Sequence, residues 1–132
     1  MAKIGMKKNH NGILNLSDDE FGTHWVAYFD TPEKTYYYDS FGFPPDNTIL
    51  NFFKRAYPNI KRNSISNKLQ HQSLNSLLCG LYCCYFIIEM NTGRKFNDII
   101  HNFGYKTKKE RVFNDKKLID YFKTKNISII YT

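Results

Sequence analysis

The thiol of Cys79 is the group in this chain best suited to covalent chemistry. It stands in Gln72-Ser73-Leu74-Asn75-Ser76-Leu77-Leu78-Cys79-Gly80-Leu81-Tyr82-Cys83-Cys84. Asn75 or Ser76 is a good N-cap for a helix running to about Met90, with Gly93 just past its end. In the first turn of that helix, unpaired backbone N–H groups and the helix dipole stabilise a thiolate, the form of cysteine that attacks carbonyl carbons. Gly80 leaves room for a substrate backbone to approach. Cys83 and Cys84 fall a turn deeper in apolar sequence and are expected to be inert packing residues. Taken alone, Cys79 is more often a small buried hydrophobe than a nucleophile. Cys-x-x-x-Cys-Cys on one helix is not the ligand spacing of a closed zinc site, so no metal is expected.

A nucleophilic cysteine needs a base, and the chain has His10, His24, His71 and His101. His24 belongs to Thr23-His24-Trp25-Val26-Ala27-Tyr28-Phe29, a strand by its β-branched and aromatic content. Asp30-Thr31-Pro32-Glu33-Lys34 reads as a turn, and Thr35-Tyr36-Tyr37-Tyr38-Asp39-Ser40 as the returning strand. A turn centred between Pro32 and Glu33 pairs Val26 with Asp39. Asp39 then shares a sheet face with His24, as a diagonal neighbour roughly 7 to 8 Å away at the backbone. A carboxylate there fixes the imidazole tautomer and stabilises imidazolium. Asp30 shares the face but lies roughly 20 Å along the same strand, too far to serve. Before the cysteine segment is weighed, His24 reads more often as an ordinary core histidine.

Acyl transfer also needs hydrogen-bond donors for the oxyanion. The backbone N–H at Cys79 is one candidate. Gln72, seven residues upstream, is a second, and Gln70 has the same strand parity but lies further away.

These residues require a scaffold. Both faces of the His24 strand are largely apolar, as in a central strand. Ile13 to Leu16 reads as a short edge strand. Ile49, Leu50, Phe53, Ala56 and Tyr57 mark a helix over residues 47–57, closed by Pro58. Residues 62–72 read as a strand carrying Ile65 and Leu69. The helix of Cys79 is apolar all round at first, as a buried central helix would be. A short helix is expected over Asn114 to Lys123 and a last strand over residues 127–131. Strands and helices without regular alternation point to an α+β fold, with a central mixed sheet packed on the cysteine-bearing helix.

The length of 132 residues suits one domain, 1–132, and the 42% hydrophobic and 17% aromatic content excludes disorder as the dominant state. The longest uncharged apolar run, Leu77 to Ile88, is 12 residues, too short to span a bilayer. No secretory signal is visible at the N-terminus. Three cysteines, two of them adjacent, argue against a disulfide framework and for a reducing compartment. The net charge of +7 fits either a solvated Lys-rich surface or contact with an anionic partner such as nucleic acid.

Taken together, the motifs resemble the adenain and Ulp1-like cysteine proteases. The order is His-Trp, an acid on a following aromatic strand, Gln, then Cys-Gly. Gly22-Thr23-His24-Trp25-Val26-Ala27-Tyr28 is similar to the His-Trp strand of adenain. Asp39-Ser40-Phe41-Gly42-Phe43 is similar to its acid-x-Phe-Gly-Phe segment, and Gln72 through Cys84 to its Gln-to-Cys block. The resemblance covers about residues 13 to 90.

The resemblance implies a papain-like, adenain-like fold and peptide hydrolysis through a thioester, with no cofactor. Cys79 would be the nucleophile, His24 the general base and acid, Asp39 the orienting carboxylate, and Gln72 part of the oxyanion hole. Trp25 would pack beside the histidine, and Trp25 and Gly80 would border the substrate. The implied substrates are viral precursor polypeptides cut at small, glycine-containing sites during virion maturation. The implied setting is the virion and the host cytoplasm or nucleus, the chain acting as a monomer. An isopeptidase for ubiquitin-like modifiers and a non-catalytic basic virion module are the rival readings. The basic balance also makes non-specific DNA a candidate partner, through Lys106, Lys108, Lys109, Lys116 and Lys117. Three departures stand out. The acid is Asp where adenain has Glu. Only 23 residues precede His24, where adenain has a longer region. No clear counterpart exists of the adenain cysteine that links to an activating peptide, so an activating peptide or partner chain stays an open question.

Overall fold

The structure, a computed structural model, describes residues 10–16, 24–32, 34–56, 63–73 and 78–125. Among these, β1 (His10–Asn15), β2 (Trp25–Asp30), β3 (Lys34–Tyr38) and β4 (Asn63–Ser66) form one sheet in that spatial order. The first two pairings are antiparallel and the β3–β4 pairing is parallel. The sheet is therefore mixed, and with the helices below the fold is α+β. The β2–β3 register is the expected one: Ala27 faces Tyr38 and Tyr28 faces Tyr37. Thr31 sets the turn. Its N–H donates to the Lys34 carbonyl at 2.8 Å, and its hydroxyl accepts from the Lys34 N–H at 3.0 Å.

The helices α1 (Asn47–Ala56) and α2 (Cys79–Asn91) pack on opposite faces of this sheet. Strand alternation sends Ala27, Phe29 and Tyr38 to one face, against Cys83 and Phe86 of α2. The rings of Tyr38 and Phe86 stack with centroids 4.9 Å apart and planes 7° from parallel. The alternate residues Val26, Tyr28 and Tyr37 meet Ile49, Phe52 and Phe53 of α1. Asp46 caps α1 by accepting from the Ile49 N–H at 3.0 Å. Apolar faces on both sides of β2 thus make it a central strand. The all-round apolar character of α2 follows from its place between the sheet and α3 (Phe96–Ile100) and α4 (Lys108–Thr124).

Several boundaries differ from the sequence reading. The strand expected over residues 62–72 stops at Ser66. Asn67 then turns its amide onto the backbone of Asp39 and Leu69, and Lys68 adopts φ 60°, which no strand can continue. Helix α2 begins at Cys79, with Leu78 at the N-cap and no side-chain cap. Asn75 and Ser76, the expected caps, lie outside the described residues. The C-terminal helix starts at Lys108 rather than near Asn114, because Thr107 and Glu110 form a reciprocal capping box there. Helix α3 was not expected from the sequence. The strand expected over residues 127–131 lies outside the described residues.

Candidate active site

β2 and β3 end side by side, and the residues that flank them at that end are His24 and Asp39. His24 Nε2 lies 2.9 Å from Asp39 Oδ2. The His24 side chain is one-quarter exposed, whereas that of Asp39 is 3% exposed. Asp39 is itself held. Its Oδ1 accepts from the Phe41 N–H at 2.8 Å, its backbone N–H donates to Asn67 Oδ1 at 3.0 Å, and its carbonyl accepts from Asn67 Nδ2 at 2.7 Å. The carboxylate therefore has one oxygen fixed by the backbone and the other directed at the imidazole.

Cys79 is the first residue of α2 and is buried. Its thiol is close enough to the His24 ring for each to shift the other's titration. With Nε2 engaged by Asp39, Nδ1 is the ring nitrogen left to serve the thiol. Burial alone would push the Cys79 thiol up. The hydrogen bond with His24, backbone hydrogen bonds from Trp25 and Gly80 and the charge of His24 outweigh it and hold the pKa below the ordinary thiol range. For His24, the Asp39 hydrogen bond is the largest influence and the Cys79 hydrogen bond the next. Together with the charges of both residues they overcome desolvation and raise the imidazole to about 9. The two shifts point the same way, each favouring the charged form, thiolate at Cys79 and imidazolium at His24.

The other thiols are different. Cys83 is fully buried and Cys84 half-buried. Desolvation pushes both up, Cys83 far above the ordinary thiol range, so neither forms a thiolate readily. Of the remaining histidines, His71 is fully buried and His101 caps α3 through the Asn97 carbonyl. His10 lies on β1, opposite Asp30. Asp30, set aside on distance, accepts from the Thr35 hydroxyl at 2.8 Å at the far end of the hairpin.

Gln72 is fully buried beside the turn that follows β3. Its N–H and that of His71 both donate to the Ser40 carbonyl, at 3.1 and 2.8 Å. Its side-chain Oε1 accepts from the Ser40 hydroxyl at 2.5 Å. The segment 71–73 abuts the first turn of α2, because the Tyr82 hydroxyl reaches both the His71 carbonyl and Asp115. Helix α4 holds the same segment. Asn114 Nδ2 donates to the His71 carbonyl at 3.0 Å, and Ser73 donates to Asp115 at 2.9 Å. Gln70 has its amide engaged elsewhere, donating to the Gln72 carbonyl at 3.0 Å.

Trp25 lies beside the first turn of α2. Alternation turns its indole to the α2 face, where it is partly buried against the core and a side chain added at Gly80 would meet Trp25 Cδ1 at 3.8 Å. Phe41 lies against the His24 ring, with centroids 5.3 Å apart and planes at 35°. Phe41, Ser40 and Asn67 are the neighbours of the site that sequence reasoning missed. Only Phe41 carried a usable signal, its place two residues beyond the acid.

No family model matches the chain. It is 35% identical over 88 residues to a protein of Acanthamoeba polyphaga mimivirus named as a proposed thiol protease, covering 61% of this chain and 29% of that protein. It is 32% identical over 98 residues to the protease of Bovine adenovirus C serotype 10, covering 64% of this chain and 50% of the relative. With the protease of Bovine adenovirus 2 it shares 30% over 88 residues, covering 57% and 42%. The chain thus spans half or less of the length of the curated relatives it matches. Two crystal structures of an ASFV protease superpose with TM-score 0.61 over 92% of this chain, at 19% and 20% identity, and cover 45% and 44% of that protein. The adenain resemblance is borne out by the adenovirus proteases among these relatives, and the α+β fold is shared with the ASFV protease.

Proposed function

We propose that this chain is a cysteine endopeptidase of the adenain type, with Cys79 as nucleophile, His24 as general acid and base, and Asp39 as its orienting carboxylate. The observation that carries this reading is the imidazole bonded to a buried carboxylate at 2.9 Å, with the thiol it perturbs at the first residue of a helix.

The thiolate of Cys79 attacks the scissile carbonyl carbon, and the C=O π pair moves onto oxygen. The backbone N–H of Cys79, at the start of α2, and the amide of Gln72 receive that oxyanion. Imidazolium at His24 protonates the departing amine as the C–N bond breaks, leaving a thioester. Water then attacks the thioester with His24 as base, and the thiolate returns. Asp39 keeps the ring oriented and its positive charge stabilised throughout.

Substrates of this enzyme are viral precursor polypeptides cut at small, glycine-containing sites during virion maturation. The adenovirus proteases among the relatives support that choice. A reducing setting, in the virion and the host cytoplasm or nucleus, fits a nucleophilic thiol. Exposed lysines of α4 would hold the enzyme on DNA. Incubating the purified chain with a library of fluorogenic peptides tests the reading. Turnover of peptides with glycine near the scissile bond, abolished by prior alkylation, is expected. Cleavage confined to modifier conjugates would favour the isopeptidase. No cleavage of any peptide or conjugate, by a chain whose Cys79 still alkylates, would reject both.

A further inference from the structure

A carboxamide has a donor end and an acceptor end, and only the donor end can stabilise an oxyanion. The last torsion of glutamine is broad and nearly two-fold, so the backbone alone does not choose between them. In this structure Ser40 makes the choice. Its hydroxyl donates to Gln72 Oε1 at 2.5 Å, and both residues are fully buried. A flipped amide would place Nε2 against that hydroxyl and leave the hydroxyl proton to find another acceptor. Ser40 grips the same residue through its carbonyl as well, which accepts from the N–H groups of His71 and Gln72.

We infer that Ser40 is a positioning residue that fixes the NH2 end of Gln72 as the oxyanion donor. Its neighbour Asp39 aims His24 from the same turn, so two consecutive residues align the base and the oxyanion donor. Asn67 braces that turn by bonding both backbone polar groups of Asp39 and the Leu69 carbonyl. A one-residue displacement of the turn would misplace both groups together. The inference rests on the protease reading.

The test is a double-mutant cycle. Ser40→Ala should lower kcat about tenfold and shift KM by less than about twofold, since the missing contact matters only once the oxyanion forms. In a Gln72→Ala background, Ser40→Ala should cost nothing more. A merely structural role would lower kcat by the same factor in both backgrounds and would overturn the inference. The rate of Cys79 alkylation by iodoacetamide, which builds no oxyanion, should be unchanged in Ser40→Ala. A second measurement needs no variant at Ser40. A peptide aldehyde adds the Cys79 sulfur to its carbonyl carbon, and the tetrahedral oxygen then sits where the oxyanion would. The side-chain amide resonance of Gln72, assigned by its loss in Gln72→Ala, should shift on that addition. An unmoved resonance in the formed adduct overturns the inference while leaving the protease reading intact. A wild-type chain that neither turns over peptides nor forms the adduct overturns both.

Discussion

His24 Nε2 and Asp39 Oδ2 lie 2.9 Å apart although 15 residues separate them, because the β2–β3 register brings the two strand ends together. The pairing is partly buried, and it sets the protonation behaviour of the site. Asp39 is the largest influence raising His24 to about 9, and His24 is the chief influence lowering Cys79.

The pH profile of kcat/KM should therefore be a bell. Activity rises with pH as the depressed Cys79 thiol ionises, and falls as pH climbs through about 9, where His24 loses the proton it must give the leaving amine. Asp39→Asn should bring the alkaline limb to lower pH. His24→Ala should cost more turnover than Asp39→Asn, since the base moves protons and the acid only orients it. An alkaline limb unmoved by Asp39→Asn would separate Asp39 from the chemistry.

Gln72→Ala should lower kcat roughly 10²- to 10³-fold, the usual cost of one oxyanion donor. Steady-state kinetics of Gln72→Ala and Gln70→Ala decide between the two amides. Gln70 donates to the Gln72 carbonyl, so its loss should be felt far less. Equal losses would point to a purely structural role for the segment.

His71 makes a stability prediction separate from catalysis. The Ile100 carbonyl only accepts, so Nε2 carries the ring proton at 2.8 Å, and Nδ1 accepts from the Tyr38 hydroxyl at 2.9 Å. Burial of this neutral ring lowers its pKa from 6.5 to about 4. The unfolded chain thus binds a proton that the folded chain refuses between those values. The contribution is complete above pH 6.5 and is lost as pH falls towards 4, by about 3 kcal/mol. Urea unfolding at pH 7 and pH 4.5 measures the loss, and His71→Gln should flatten it. A wild-type stability equal at both values would contradict the assignment.

Non-specific DNA binding by α4 should weaken steeply with salt, with a log–log slope of about −0.9 per phosphate contact. Lys106, Lys108, Lys109 and Lys116 are exposed. Lys117 is exposed too, but its ammonium donates to the Asn102 carbonyl at 2.6 Å, near the Phe103 ring. Fluorescence anisotropy on random duplexes at two salt concentrations should show affinity lost in a Lys108, Lys109 and Lys116 triple alanine variant and largely kept in Lys117→Ala. Binding indifferent to salt would remove DNA from the account.

The hairpin and its register were legible because turn chemistry and strand alternation are local. They brought His24 and Asp39 to one face without any long-range information. The hold of Ser40 on Gln72 was not legible, because it joins positions 32 apart through a turn geometry that no periodicity encodes. The early end of β4 depended on Asn67 bonding backward to Asp39, which is equally non-local. The start of α4 was legible in principle from Thr107 and Glu110. The contact of Phe41 with His24 was not legible, because Phe41 returns to the ring from the turn after β3.

The most direct measurement compares turnover in Cys79→Ala, Cys83→Ala and Cys84→Ala on one glycine-containing peptide, with circular dichroism confirming each fold. Turnover should be abolished in Cys79→Ala alone, because only the Cys79 thiol lies beside His24 at a helix start while burial raises the other two. Turnover surviving in Cys79→Ala, or lost in Cys83→Ala with the fold intact, would contradict it.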